Sequence, residues 1–333
     1  MAKRITAPRR IAAFVITAAA ILIMFFIAVN TGGLSTTVSQ LFNGLFVEYD
    51  KDVAIIYELR FPRIIVALLG GGMMAVSGVL MQAVMKNPLA DPGIIGISSG
   101  AALAASLVSA FLPALAYLTP IFSFIGGIIA FLIVYTLAWN GSVSPVRLIL
   151  VGVAVDAVFT GLYQGFSSAT GGQYSGAANI INANISLKTW EDVRIMLVYF
   201  AVMAVACMLA ASRCNLLSLS DMTVHSLGVN VNRTRIAVSI ISVLLASIFT
   251  AVIGKISFLG LIVPHISRLL VGNDHKVLIP YSALLGAFVF LLADTVGRVI
   301  AYPYEISSSI IMAVVGGPMF IILLKRSRGS YEQ

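Results

Sequence analysis

The 333 residues are 59% hydrophobic and only 10% charged, far below the roughly 25% charged residues of a soluble globular domain, which excludes a soluble enzyme or binding module. A formal net charge of +8 would suit nucleic acid only if the basic residues formed a stripe or arm, and they are scattered at the ends of apolar runs instead. The partner this pattern implies is a lipid bilayer, with no nucleic acid.

Each transmembrane helix needs about 20 apolar residues. Apolar windows predict spans at 11–31, 61–85, 92–111, 115–138, 147–168, 193–212, 234–254, 277–299 and 306–324, with a shorter apolar element at 258–271. The expected fold is therefore all-α and polytopic, ten helices in one membrane domain over residues 1–333. The short element contains Pro264 and crosses a bilayer only if neighbouring helices support it. The basic head and apolar stretch of residues 1–29 would also suit a signal peptide. The run from Ile11 is too long for one and no small-residue cleavage site follows, so it reads as the first span.

Charge tests the parity. With a cytoplasmic start and ten crossings, fourteen basic residues fall inside: Lys3, Arg4, Arg9, Arg10, Lys86, Arg147, Arg213, Arg233, Arg235, Arg268, Lys276, Lys325, Arg326 and Arg328. Seven fall outside: Lys51, Arg60, Arg63, Lys188, Arg194, Lys255 and Arg298. That is the asymmetry of a bacterial inner-membrane protein with both termini cytoplasmic. Small residues at Gly70 to Gly72, Gly78, Gly96, Gly100, Gly126, Gly127, Gly316 and Gly317 suit close helix approach in lipid.

No Walker A sequence, HExxH, GxSxG or paired-cysteine motif is present, so neither catalysis nor a cofactor is expected. Cys207 and Cys214 have no ligand spacing, and His225, His265 and His275 are too dispersed in sequence to suggest a metal site.

The polar interruption at 213–235, RCNLLSLSDMTVHSLGVNVNRTR, allows Ser218 or Ser220 to cap a short helix that Gly228 ends. Met222, Val224 and Leu227 are expected on one side of it. Such a helix suits docking into a groove of another protein or lying on the bilayer. Arg60, Arg63 and Arg298 at the outward ends of spans run against the charge rule. Snorkelling to lipid phosphates and a salt bridge with an acidic partner explain them equally well. Asp156 is a carboxylate near mid-span, where it either lines a water-filled route or makes a buried hydrogen bond. Asp294 is positioned to pair with Arg298 four residues later.

The string LRFPRIIVALLGGGMMAVSGVLMQAVMKNPLADPGIIGISSGAALA at 59–104 closely resembles the FecCD-type permeases of bacterial ABC importers, as do GKISFLGLIVPHISRLLVGNDHKVLIPYSALLGAFVFLLADTVGR at 254–298 and GGPMFIILLK at 316–325. The resemblance implies ten spans per subunit and two subunits, identical or paralogous, around a central pathway. It implies that the helix around Leu216, Ser218, Ser220, Asp221, Met222, His225, Leu227 and Gly228 couples to a cytoplasmic ATP-binding subunit. It also implies that Arg60, Arg63 and Arg298 meet glutamates of an extracytoplasmic substrate-binding protein. Asn87, Pro88 and Asp91 belong to a structural NPLADP turn, with Asp91 able to cap the following helix.

Two segments depart from the family pattern, INANISLKTW at 181–190 and EISSS at 305–309, both near the entrance that the resemblance implies. The implied mechanism is alternating access driven by a separate ATPase subunit, with Met73, Met74, Ser77, Met81, Gln82, Asp156, Tyr163 and Gln164 as expected liners. Within the family ferric siderophore is the first expected cargo, then haem, then cobalamin. An ion-coupled secondary transporter, resting on Asp156 alone, and a non-transporting membrane protein are the rival readings.

Overall fold

The computed structural model describes residues 5–32, 36–140, 142–143, 145–170, 180, 183 and 185–328. Apart from a two-residue antiparallel pairing of Trp139–Asn140 with Ser142–Val143 and a 3-10 turn at Pro113–Leu118, the regular structure among them is α-helical. The helices are α1 (Ala7–Asn30), α2 (Val38–Phe46), α3 (Lys51–Met85), α4 (Ile97–Phe111), α5 (Thr119–Ala138), α6 (Pro145–Ala169) and α7 (Trp190–Leu217). They continue as α8 (Asp221–Ser226), α9 (Val231–Val252), α10 (Leu259–Val271), α11 (His275–Val299) and α12 (Ser308–Arg328). Seven are long and apolar enough to cross a membrane, and α4, α10 and the 308–323 part of α12 are shorter apolar helices. Every apolar element expected from the sequence is thus a helix, although length and composition alone qualify seven rather than ten as spans.

Local chemistry sets the ends. Asp50 caps α3 by accepting from the backbone N–H of Asp52 at 2.8 Å and Val53 at 3.1 Å, so the helix begins at Lys51 rather than near Phe61. Its 35 residues extend ~52 Å at ~1.5 Å per residue, longer than a hydrocarbon core about 30 Å thick. Helix α2 was not anticipated because its nine residues are too few to form an apolar window. Thr37 and Gln40 close a capping box at its start. Helix α4 starts at Ile97 instead of residue 92, because Asp91 accepts from Gly93 N at 2.6 Å and folds 91–96 into turns. The backbone carbonyl of Asp91 also accepts from Ile94 N at 3.1 Å and Ile95 N at 2.9 Å, which closes the same turns.

Helix α3 is the axis of the fold, with 83% of its apolar window buried. It is packed by α7, α9, α10 and α11. Two of these contacts require glycine: a Cβ on Gly71 would strike the Gly286 carbonyl oxygen of α11, and one on Gly78 would strike the Gly260 carbonyl oxygen of α10. Reciprocal hydrogen bonds tie α3 to α9, Ser77 Oγ donating to Ser242 O at 2.6 Å and Ser242 Oγ to Ser77 O at 2.8 Å. Interhelical bonds of this kind contribute about 0.6 kcal/mol each in a membrane protein. Helices α1 and α6 lie at the flanks, each with 17% of its apolar window buried. The bundle has a proximal end, where Gly272 lies beside Ile5 and Arg10, and a distal end, where Arg60 and Arg298 reach the carbonyls of Val29 and Ala28.

Candidate functional site

At the distal end the three arginines singled out in the sequence converge. Arg63 of α3 donates from Nε to Asp294 Oδ2 at 3.0 Å and from Nη2 to Asp294 Oδ1 at 2.9 Å. Its Nη1 donates to both oxygens of Glu305, at 3.0 and 2.9 Å. Arg298 lies one helical turn beyond Asp294, at 3.5 Å, and donates to Ala28 O at 3.2 Å. Arg60 donates to Val29 O. Within the chain Arg63 thus has two acidic partners, Asp294 and Glu305, and Arg298 shares Asp294. Arg63 and Arg298 are each 7% exposed, and Arg60 is half-buried.

Glu305 sits in the connection between α11 and α12, and its Oε2 also accepts from Ser186 Oγ at 2.5 Å. Burial pushes its carboxyl up, but the Ser186 hydrogen bond and the charge of Arg63 outweigh that and hold it below the ordinary glutamate value. The two segments that depart from the family pattern thus meet: Ser186, Glu305 and Ser307 to Ser309 line one cavity of about 510 Å³ together with Arg63 and Asp294. The segment 181–190 stands out in the sequence as a departure from the family pattern, but nothing in a sequence signals that Ser186 faces Glu305.

Between the ends lies a second charged pair. Lys255 Nζ donates to Asp156 Oδ2 at 2.8 Å and to Thr160 Oγ1 at 3.1 Å. The sequence reading placed Lys255 outside; it lies instead in the break between α9 and α10, against the middle of α6. Gln164 is exposed on α6, and Tyr163 is buried beside it at 7% exposure.

The liners expected on α3 are corrected by the packing. Met73, Met74, Ser77 and Met81 are at most 1% exposed and Gln82 is 3% exposed. Gln82 Nε2 donates to Gly260 O at 3.2 Å, and its Oε1 accepts from Arg268 Nη1 at 2.5 Å. Among the described residues these five side chains are thus enclosed within the subunit, while Gly72, Met73 and Val76 of α3 border a cavity of about 250 Å³ with α7 and α11.

At the proximal end α8 runs from Asp221 to Ser226, with Ser220 Oγ accepting from Thr223 N at 3.2 Å and Gly228 turning the chain at φ +75°. Leu216 and Ser218 belong to the last turn and cap of α7 instead. The expected apolar side is also corrected: Val224 is fully buried, whereas Met222 and Leu227 point outward at 82% and 58% exposure. Asp221 is bonded on both sides, by Lys86 at 2.8 Å and by Arg235 Nη2 at 3.0 Å. The Lys86 hydrogen bond and the Arg235 charge hold its carboxyl below the usual aspartate range. Helix α8 is thereby tied to the ends of α3 and α9. His225 and Asp221 border a concavity of about 540 Å³ with Gly228, Asn230 and Asn232. Among the described residues no cluster of metal-ligating side chains occurs, and Cys207 and Cys214 are buried free thiols.

A model of the FecCD transport family matches residues 20–326. The protein described as a probable heme-iron transport system permease, IsdF, of Staphylococcus aureus (strain Newman) is 39% identical over 303 residues, covering 91% of this chain and 92% of that protein. A solved structure described as an inward-facing conformation of a metal-chelate type ABC transporter matches with a TM-score of 0.78 at 29% identity, over 94% of this chain and 98% of that one. A chain of PsaBC from Streptococcus pneumoniae in complex with Fab shares the fold, with a TM-score of 0.56 at 17% identity over 86% of this chain and 95% of that one. A match that spans nearly the whole bundle, helix axis and distal arginines included, makes the chain a member of the FecCD transport family of ABC importer permeases.

Proposed function

We propose that the chain is the permease subunit of a binding-protein-dependent importer of an iron chelate, with haem the first cargo to test and ferric siderophore the second. The observation that carries the cargo class is the 39% identity, across 91% of the chain, to the permease described as heme-iron transporting. That relationship reorders the expectation drawn from the family at large.

In this reading α8 is the coupling helix: its exposed Met222 and Leu227 offer apolar side chains to a cleft in a separate ATP-binding subunit. The proximal end is cytoplasmic, as the basic residues favour, fourteen on that side against six on the other once Lys255 is set apart. The short helices α4, α10 and α12 complete ten crossings with support from their neighbours, and two permease subunits enclose the route. The distal arginine cluster faces a substrate-binding protein, which reaches Arg60 first and Arg63 only by displacing Glu305. The exposed side of α6, with Asp156 and Gln164, borders the route. Asp156 already has Lys255 as its counter-ion at 2.8 Å, so the lone carboxylate on which ion coupling would depend is not available.

Uptake of labelled haem, a ferric siderophore and cobalamin by cells with and without the chain tests the proposal. Chain-dependent haem uptake that stops when the ATPase partner is inactivated supports it. Siderophore or cobalamin uptake alone keeps the importer and replaces the cargo, and uptake that survives loss of ATP hydrolysis overturns the importer reading.

A further inference from the structure

Asp156 and Lys255 form the one ion pair among the described residues that lies at neither end of the bundle. Asp156 is eleven residues beyond Pro145 in α6, which places it ~17 Å from that end at ~1.5 Å per residue. Lys255 precedes α10, whose 13 residues place it at a similar depth, ~20 Å from the proximal end. Both estimates fall within a hydrocarbon core of about 30 Å.

The pair is nevertheless open on one side, with the side chains of Lys255 and Asp156 25% and 24% exposed. A charged pair at this depth does not face lipid; it faces the interior of an assembly or a water-filled route. The backbone around it is held. Gly254 stands at φ +108° against the Ile180 carbonyl and Ala183, and Gly96 packs on the Asp156 backbone N.

The pair also has spare hydrogen-bonding capacity. An ammonium has three donors, of which Asp156 and Thr160 take two among the described residues. Asp156 Oδ1 is buried and has no hydrogen-bond partner among those residues. Lys255 is thus paired with an internal carboxylate and keeps one donor that none of the described residues takes.

Building on the import reading, we propose that Lys255 is a carboxylate-binding residue of the translocation route, and that Asp156 is the counter-ion which an anionic, carboxylate-bearing iron chelate displaces. Exchange of one carboxylate for another keeps the ammonium paired throughout, which avoids leaving a bare charge at that depth. Return of Asp156 then expels the cargo, so the site binds weakly enough to release what it admits. A point charge on a flexible stem suits this exchange better than a bidentate arginine fork.

The test uses the permease with its copurifying partners in lipid nanodiscs, titrated with haem and with haem dimethyl ester, which lacks free carboxylates, against protein-free discs. The variants are Lys255→Gln with Asp156→Asn, which replaces the pair by neutral groups of similar shape and avoids a lone buried charge, and Lys255→Arg. Haem affinity is expected to fall roughly tenfold in the neutral double variant, the loss of one charge-assisted hydrogen bond. Lys255→Arg should retain most of it, and the ester should bind wild type and double variant alike. Equal haem affinity in wild type and double variant, ester binding as tight as haem in the wild type, or no haem binding by the wild type would each overturn the proposal. These outcomes are read without transport, so they are separate from the uptake experiment that judges the importer reading.

Discussion

Arg63 and Asp294 lie 231 positions apart in the chain and face each other through two hydrogen bonds of 2.9 and 3.0 Å, with side chains only 9% and 2% exposed. Removing one member of a buried pair strands the other charge, whereas replacing both by apolar groups does not. Asp294→Ala takes the carboxylate from Arg63, which keeps only the exposed Glu305, and from Arg298, and should destabilise the protein by about 3 kcal/mol, the low end for a broken buried pair; an Arg63→Met, Asp294→Leu double variant, which releases Glu305 to solvent, should recover most of that. Unfolding midpoints of the purified variants in detergent measure both. A double variant no better than the single one would mean that the pair has a structural role beyond charge balance.

Glu305 is the solvent-reachable arm of the same cluster, 42% exposed at its side chain. Its carboxyl is held below the ordinary 4.5. A depressed value in the folded state contributes stability that is present above the ordinary value and is lost as pH falls through the lower, folded one. The Arg63–Glu305–Ser186 link should therefore persist at neutral pH and loosen only in acid. Melting temperature followed from pH 7 downward should fall more steeply in the wild type than in Glu305→Gln; parallel curves would remove Glu305 from the acid response.

Asp221 joins Lys86 and Arg235 at the proximal end with its side chain 52% exposed. Exposed pairs contribute only about 0–1 kcal/mol, so Asp221→Asn should scarcely change the melting temperature. If α8 transmits movement to α3 and α9 through this residue, ATP hydrolysis by the assembled importer should continue while uptake drops several-fold. Met222→Asp should instead weaken copurification with the ATP-binding subunit. Normal uptake by Asp221→Asn would show that α8 acts without the clamp.

Helix contacts provide a sharper contrast. A Cβ on Gly78 runs into the Gly260 carbonyl oxygen, while one on Gly161 of α6 meets nothing within 4 Å. Gly78→Ala should cost about 1–3 kcal/mol through overpacking. Gly161→Ala should be neutral or stabilising by up to about 1 kcal/mol, since alanine favours helix over glycine. Folded yield and melting temperature of the two variants test the comparison, and equal behaviour would argue against a tight α3–α10 crossing.

The helices themselves were legible because a backbone in lipid must bond internally, so each apolar run becomes a helix. Their edges were less so. Lys51–Arg60 reads as a polar connection but is helical because Asp50 caps it, and 92–96 reads as apolar span but is turned by Asp91. Of the candidate sites, the short helix and its Gly228 stop were readable from local capping chemistry. The direction of Val224 was not, because six residues carry too little periodicity to say which side meets the bundle.

Composition and local pattern alone determined that this is a helical membrane protein, where its apolar elements lie, and which family its long motifs resemble. Tertiary structure decided which charges meet: Arg63 with Asp294 and Glu305, and Lys255 with Asp156 across 99 positions. It also decided that Met74, Ser77, Met81 and Gln82 are sealed inside the subunit. The physical reason is the same in each case. Hydropathy and capping act over a few residues along one helix, whereas charge pairing and enclosure depend on which helices lie side by side, a property that no single segment carries.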